Sequence, residues 1–166
     1  MRILSPIASA EEAAPLLEGG ADEFYCGIFP EQWYERWGRG AWPNRRGPGS
    51  ANLERLDQLK ELAAAVHGDQ GGARPGGQRG DLYAAFNQQY YPDEQADFLV
   101  DIAEAIWKAG AIDAFIITDP GFMLQLRRRI PDIRLFASTV SVALNADSVR
   151  FFEDLGCERT ILSRHI

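Results

Sequence analysis

The sequence predicts a parallel α/β protein, and three observations carry that prediction. Short apolar runs alternate with amphipathic stretches along almost the whole chain, which is the order that βαβ units produce. The amphipathic stretches carry helix-start signals, acidic or Ser/Asn residues, at one end and mostly glycine stops at the other. A length of 166 residues, 46% hydrophobic and 25% charged, suits a single domain over residues 1–166 with a sizeable core. Two architectures fit the alternation, an open doubly wound sheet and an eight-stranded β/α barrel. The first lacks a GxGxxG after its first strand, where "SPIASAEEA" stands. The second takes roughly 250 residues for eight units, and this chain supplies about six strands.

The elements follow in order. "RILSPI" is a short apolar run suited to a buried strand, and "SAEEAAPLLEGG" opens on Ser9 and two acids and stops at Gly19-Gly20, as a helix does. "ADEFYCGI" is the second strand. "ANLERLDQLKELAAAVHG" reads as a helix whose apolar face is Leu53, Leu56, Leu59, Leu62 and Val66. "DLYAAFN" is the third strand, and "DEQADFLVDIAEAIWKAG" is a helix with acids at its start and a face of Phe98, Ile102, Ala105 and Ile106. "IDAFIITD" is the fourth strand, "GFMLQLRRRIP" a shorter helix stopped by Pro131, and "IRLFAST" the fifth strand. "NADSVRFFEDLG" is a helix that starts at Asn145, and "ERTILSR" is the sixth strand. Two loops interrupt the rhythm. Residues 29–50 gather three tryptophans and four arginines after the second strand, and residues 68–81 form a Gly-rich connection. Loops leaving strand C-termini make the functional face of parallel α/β proteins, so the first loop is a candidate site and the second a surface excursion.

Composition narrows the function classes. A net charge of -7 and a pI near 4.8 oppose non-specific nucleic-acid binding while leaving room for a local basic patch. No apolar run reaches the roughly 20 residues of a membrane helix. The two cysteines, Cys26 and Cys157, and two histidines have no metal-site spacing, so no metal ligands are predicted in this chain. With no signal-peptide pattern at the N-terminus, a reduced, cytoplasmic setting is expected.

In their order, "RILSPIAS", "GADEFYCG", "NRRGPGSANLERLDQL", "YAAFNQ" and the stretch from Asp113 to Ile166 resemble the N-terminal portion of the peptidase U32 family, also called collagenase-like peptidases. The series Asp119-Pro120-Gly121, Ala137-Ser138-Thr139, Asn145, Leu155-Gly156 and Leu162-Ser163-Arg164 carries the resemblance. The resemblance implies a TIM-barrel-like domain, incomplete here. It also implies membership of a group that includes oxygen-independent hydroxylases of RNA or of a quinone precursor, beside the older peptidase label. Related full-length proteins bind an iron-sulfur (4Fe-4S) cluster through four cysteines beyond the matched segment, so none of its ligands is assigned in this chain. Many members have Glu where His165 stands.

Candidate site residues come from the strand ends. Asp119 can act as a base or ligand, or cap the helix that begins near Phe122. Asn87, with Gln88, brings polar amides to the third strand's end, for ligand binding or loop bracing. Ser138 and Thr139 can hold a phosphate or carbonyl, or brace a turn. Arg164 can hold an anion and His165 can move protons, although terminal fraying competes at His165. Arg45 and Arg46 in "NRRGPGSAN", close to Trp42, combine planar cations with an aromatic surface suited to RNA or an anionic small molecule. The alternative is a loop packed by its own tryptophans. Cys26 and Cys157 read as core packing, and His67 as a partner of its helix dipole. No Ser-His-Asp or Cys-His arrangement supports the peptidase reading. An incomplete barrel exposes sheet edges, so a homo-oligomer, or a partner chain that completes the barrel, is expected.

Overall fold

A computed structural model describes residues 1–47, 52–68 and 79–165. Residues 48–51 of the Trp-rich loop, 69–78 of the Gly-rich loop and Ile166 lie outside the described residues. The chain resolves into two compact units: Met1–Ala85 with Ala111–Asp113, and Phe86–Gly110 with Ala114–Ile166.

In the first unit β1 (Leu4–Pro6) leads through a 3-10 turn (Ala10–Glu12) into α1 (Ala13–Glu18), then β2 (Glu23–Ile28), α2 (Glu31–Trp37), β3 (Asn52–Leu53), α3 (Leu56–His67) and β4 (Asp81–Phe86). Strand β2 is the centre of this sheet. It pairs in parallel with β4 along Glu23↔Asp81 to Gly27↔Ala85. Its other edge takes β1 from Leu4↔Glu23 to Pro6↔Tyr25, and then β3 at Gly27↔Asn52 and Ile28↔Leu53. Because side chains alternate across a strand, Phe24, Cys26 and Ile28 share one buried face and Glu23, Tyr25 and Gly27 the other. The Phe24 face packs on α3: a methyl added at Gly80 would meet Phe24 at 2.9 Å and Val66 at 3.1 Å.

Two details of this unit differ from the sequence reading. Asn52 and Leu53 form β3 instead of starting the helix, because Phe29 N–H donates to the Leu53 carbonyl at 2.7 Å and ties that segment to the end of β2. The helix begins only at Leu56, where Gln58 Oε1 accepts from the Glu54 and Arg55 N–H groups at 3.1 Å. Leu56 is therefore 41% exposed, and the buried stripe is Leu59, Leu62, Ala63 and Val66. The helix ends at Gly68, whose φ of 85° takes the left-handed C-terminal position. The second difference is α2, which lies inside the stretch expected as loop. Pro30 sets the extended entry, Glu31 favours the helix N-terminus, and Trp33 anchors the helix in the core with its indole N–H donating to the Ala41 carbonyl at 2.6 Å.

The second unit runs α4 (Asp93–Lys108), β5 (Ala114–Ile117), α5 (Pro120–Arg129), β6 (Leu135–Ala137), a 3-10 turn (Thr139–Ser141), α6 (Ala146–Asp154) and β7 (Arg159–Thr160). Strand β6 lies between β5 and β7, both parallel to it, through Phe115↔Leu135 and Phe136↔Arg159. Phe115 and Phe122 pack around Phe86 at 6.0 and 6.2 Å between ring centroids. Helix α4 buries Ala96, Leu99, Val100, Ala103 and Ile106. Of the face expected from sequence only Ile106 is on that stripe; Ala105 is exposed, and Phe98 and Ile102 are half-buried. Small alanines occupy alternate steps of the true stripe, and the bulk of Phe98 draws a sequence reading away from it. The sixth predicted strand is also shorter than expected. Its last ladder bond among the described residues runs from Ile161 N–H to the Ala137 carbonyl at 2.9 Å, and β6 ends there and turns at Ser138.

Within each unit the paired strands are parallel, and apart from the two-residue β3, which joins β2 on the edge that β1 occupies, they are added in chain order. A doubly wound sheet requires a reversal of strand order and a barrel does not. The fold class is α/β, an incomplete parallel β/α barrel.

Candidate functional site

In the first unit the polar groups gather at the C-terminal end of β2. Gly27 stands between Ala85 and Asn52 in the sheet. Above it Asn44, 2% exposed, donates from Nδ2 to Asn52 Oδ1 at 2.8 Å. Asn44 Oδ1 accepts from the Arg46 N–H at 2.9 Å, and Asn52 Nδ2 donates to the carbonyls of Arg46 (3.2 Å) and Gly47 (2.7 Å). The backbone so held places the Arg46 guanidinium over the Tyr25 ring, 5.1 Å from its centroid, with a hydrogen bond to the phenol oxygen. Arg36 and Arg39 lie over Trp37 and Tyr34 at 5.9 and 4.6 Å. Arg45 is exposed, and Trp42, 41% exposed, has its ring against Gly47. The result is a cationic and aromatic surface able to meet an anionic or planar group.

In the second unit Asn87, Asp119, Ser138 and Thr139 sit just past strand ends, and hydrogen bonds tie the first three of these to neighbouring segments. Thr118 Oγ1 donates to the Asn87 carbonyl at 3.2 Å, and Ser138 N–H to the Ile117 carbonyl at 2.8 Å. Ser141 Oγ donates to the carbonyls of Ile117 and Thr118, both at 3.4 Å. Asp119 caps α5, its Oδ1 accepting from Gly121 and Phe122 N–H at 2.8 and 3.3 Å, while its Oδ2 accepts from Tyr91 N–H at 3.1 Å. Ser138 Oγ caps the following turn through Val140 N–H at 3.4 Å. Asp119 and Ser138 thus cap the helix and the turn that follow them. Arg164 and His165 are exposed on the turn that follows β7, past Thr160, and not at a strand end as the sequence suggested.

Cys26 is fully buried, and burial pushes its thiol up to about 12, which leaves it protonated and inert. Burial also pushes Cys157 up, to about 11, against a weaker opposing pull from Arg127; its sulfur lies 3.7 Å from that of Met123. Among the described residues no group of three or more His, Cys, Asp or Glu side chains could hold a metal ion. The described residues therefore offer no ligand set for an iron-sulfur cluster. No helix among the described residues is long and apolar enough to cross a membrane.

Sequence reasoning missed the Asn44–Asn52 bridge and two further features. Tyr25 is one, although the two-residue period of β2 puts it on the same face as Gly27. The other is at the opposite ends of the strands. His67 ends α3 as expected, and its Nε2 lies 2.9 Å from Asp113 Oδ2, which also accepts from Leu82 N–H at 2.8 Å, while Arg79 pairs with Asp113 Oδ1. Burial pushes the Asp113 carboxyl up, but His67, the Leu82 N–H and Arg79 together hold it below the usual aspartate range. The partners lie dozens of residues apart, and no local spacing signals them.

Parallel strands with polar groups at their C-terminal ends define the class, a β/α-barrel type of protein. The family model for peptidase family U32 matches residues 8–166, and the chain belongs to that family. It is 26% identical over 167 aligned residues to tRNA hydroxylation protein P2 of Bacillus subtilis, an alignment that covers 99% of this chain and 44% of that protein. Over 54 residues it is 37% identical to tRNA hydroxylation protein P of Haemophilus influenzae and 35% identical to that of Escherichia coli, covering 32% of this chain and 12% of each. The chain thus spans less than half the length of the curated relatives it matches. Among solved structures it is similar to a U32 peptidase with a TM-score of 0.63 at 11% identity, covering 98% of this chain and 58% of the other. A 2,3-dimethylmalate lyase is similar with a TM-score of 0.51 at 16% identity, covering 99% and 58%. At such identities the structural matches speak for the fold alone.

Proposed function

We propose that the chain serves in hydroxylation of tRNA, as the substrate-binding part of a U32 protein, in the reducing setting of the cytoplasm. The observation that carries this reading is the alignment of 99% of the chain with a tRNA hydroxylation protein. The Arg45 and Arg46 surface supports it, because it offers cations beside aromatic rings despite the net charge of -7. In this reading Arg45 and Arg46 in one unit, and Arg164 in the other, bind phosphates, while Asn87 and Asp119 orient polar groups of the substrate and Ser138 and Thr139 brace the strand ends. His165 is the candidate for moving a proton.

The test is titration of unmodified tRNA against the chain over a salt series. Binding is expected to weaken as salt rises, and the Arg45→Ala/Arg46→Ala double variant to bind at least tenfold more weakly with a shallower salt dependence. Binding indifferent to both salt and these substitutions would overturn the reading.

A second reading concerns assembly, and a specific observation favours it. Val142, Leu144, Phe151 and Leu162 expose apolar surface in the second unit, and among the described residues β7 pairs with β6 alone. We propose that a second copy or another chain covers this surface.

A further inference from the structure

An arginine on a loop loses less freedom on binding when backbone and guanidinium are both held beforehand, and at Arg46 two side-chain amides hold the backbone while Tyr25 holds the guanidinium. We infer that Asn44 and Asn52 are positioning residues: bridged across Gly27, they hold Arg46 against Tyr25 of β2 so that its guanidinium meets an RNA phosphate. The inference rests on the reading above that Arg46 contacts tRNA.

The hydrogen-bond accounting is close. Asn44 uses its oxygen for the Arg46 N–H and its nitrogen for Asn52, while Asn52 uses its nitrogen for the carbonyls of Arg46 and Gly47. Both backbone groups of Arg46 are thereby set by side chains, a role for which an amide, donor and acceptor in one planar group, is suited. Asn52 is itself anchored by its pairing opposite Gly27 in the sheet. Only glycine leaves room for the bridge: a Cβ at position 27 would lie 2.0 Å from Asn52 Oδ1 and 2.3 Å from Asn44 Nδ2. A carboxylate cannot replace either amide. Asp at 52 would turn an oxygen toward two carbonyls, and Asp at 44 would set one against Asn52 Oδ1. The contact with Tyr25 engages one guanidinium nitrogen, and a guanidinium carries five donors in a fork matched to phosphate. Tyr25 contributes a ring that fixes the plane of the cation.

The experiment is a set of tRNA titrations over salt with Arg46→Ala, Asn44→Ala, Asn52→Asp and the Asn44→Ala/Arg46→Ala pair, each variant first shown to melt cooperatively. Asn44→Ser takes the place of Asn44→Ala, Asn52→Ser that of Asn52→Asp, and Arg46→Gln that of Arg46→Ala, alone or in the pair, where the first choice does not. Arg46→Ala is expected to weaken binding roughly tenfold and to lower the salt slope by about 0.7 to 0.9, the contribution of one phosphate contact. Asn44→Ala and Asn52→Asp are expected to give the same loss and the same change of slope, and Asn44→Ala to add nothing once Arg46 is gone. If Arg46→Ala weakens binding but the Asn variants do not, or if the pair is additive, the positioning role is overturned and the arginine contact stands. If Arg46→Ala has no effect, the contact itself falls, and the positioning role with it.

Discussion

Asp113 shows how much one side chain can organise. Its two oxygens serve His67, Arg79 and the Leu82 N–H, so it joins the end of α3 to the start of β4. Its carboxyl is held below the ordinary value, so the stability it contributes is present above the unfolded-state value near 3.9 and is lost as pH falls through the lower folded-state value. Asp113→Asn is therefore expected to melt at a lower temperature than the native chain at pH 7, with the difference shrinking in melts taken below pH 3. A difference that stays constant with pH would mean that the carboxylate charge contributes nothing there. Asp113→Ala leaves a buried N–H without an acceptor, at a cost of about 1 to 3 kcal/mol. None of this was legible in the sequence, where Asp113 is only the residue before an apolar run. The cap at Asn145 was legible, because its acceptor and the Ser148 N–H it receives at 2.9 Å are three residues apart.

At the scale of elements, local signals marked most helices and strands, and errors arose where tertiary contacts chose between local options. Asp119 followed by Pro120 announces the start of α5, and the structure caps it there. In α4 two stripes compete, and packing selects Ala96, Leu99, Val100, Ala103 and Ile106 over the face that contains Phe98. Leu99→Ala is accordingly expected to cost about 2 to 5 kcal/mol in a denaturant melt, and Phe98→Ala clearly less although it removes a larger side chain. The opposite ranking would return the helix to the orientation read from sequence. Strand β3 is the harder case. Two residues carry no period of their own, and only the open edge of β2 past Pro6 makes Asn52 and Leu53 a strand instead of the first turn of α3.

At the scale of the molecule, parallel pairing in both units agrees with the alternation read along the chain, and the U32 family explains why the strand-end residues resemble what they do. Assembly is the open quantity that can be measured. If a second copy covers Val142, Leu144, Phe151 and Leu162, the mass in solution is expected to rise with concentration toward twice 18.5 kDa, and Phe151→Asp to return it to the monomer value. A concentration-independent 18.5 kDa species would rule out self-assembly of this chain. The sequence by itself determined the fold class, the order of the strands and helices other than α2 and β3, the family, and the arginine-bearing loop after β2, because periodicity, caps and strand-end motifs are local and survive in one dimension. Only the tertiary structure decided that Asn44 and Asn52 meet over Gly27, that Arg46 rests on Tyr25, that Asp113 joins His67 to Arg79, and that Arg164 lies past the strand end. Those depend on which distant segments the sheet brings side by side, and no spacing along the chain encodes that.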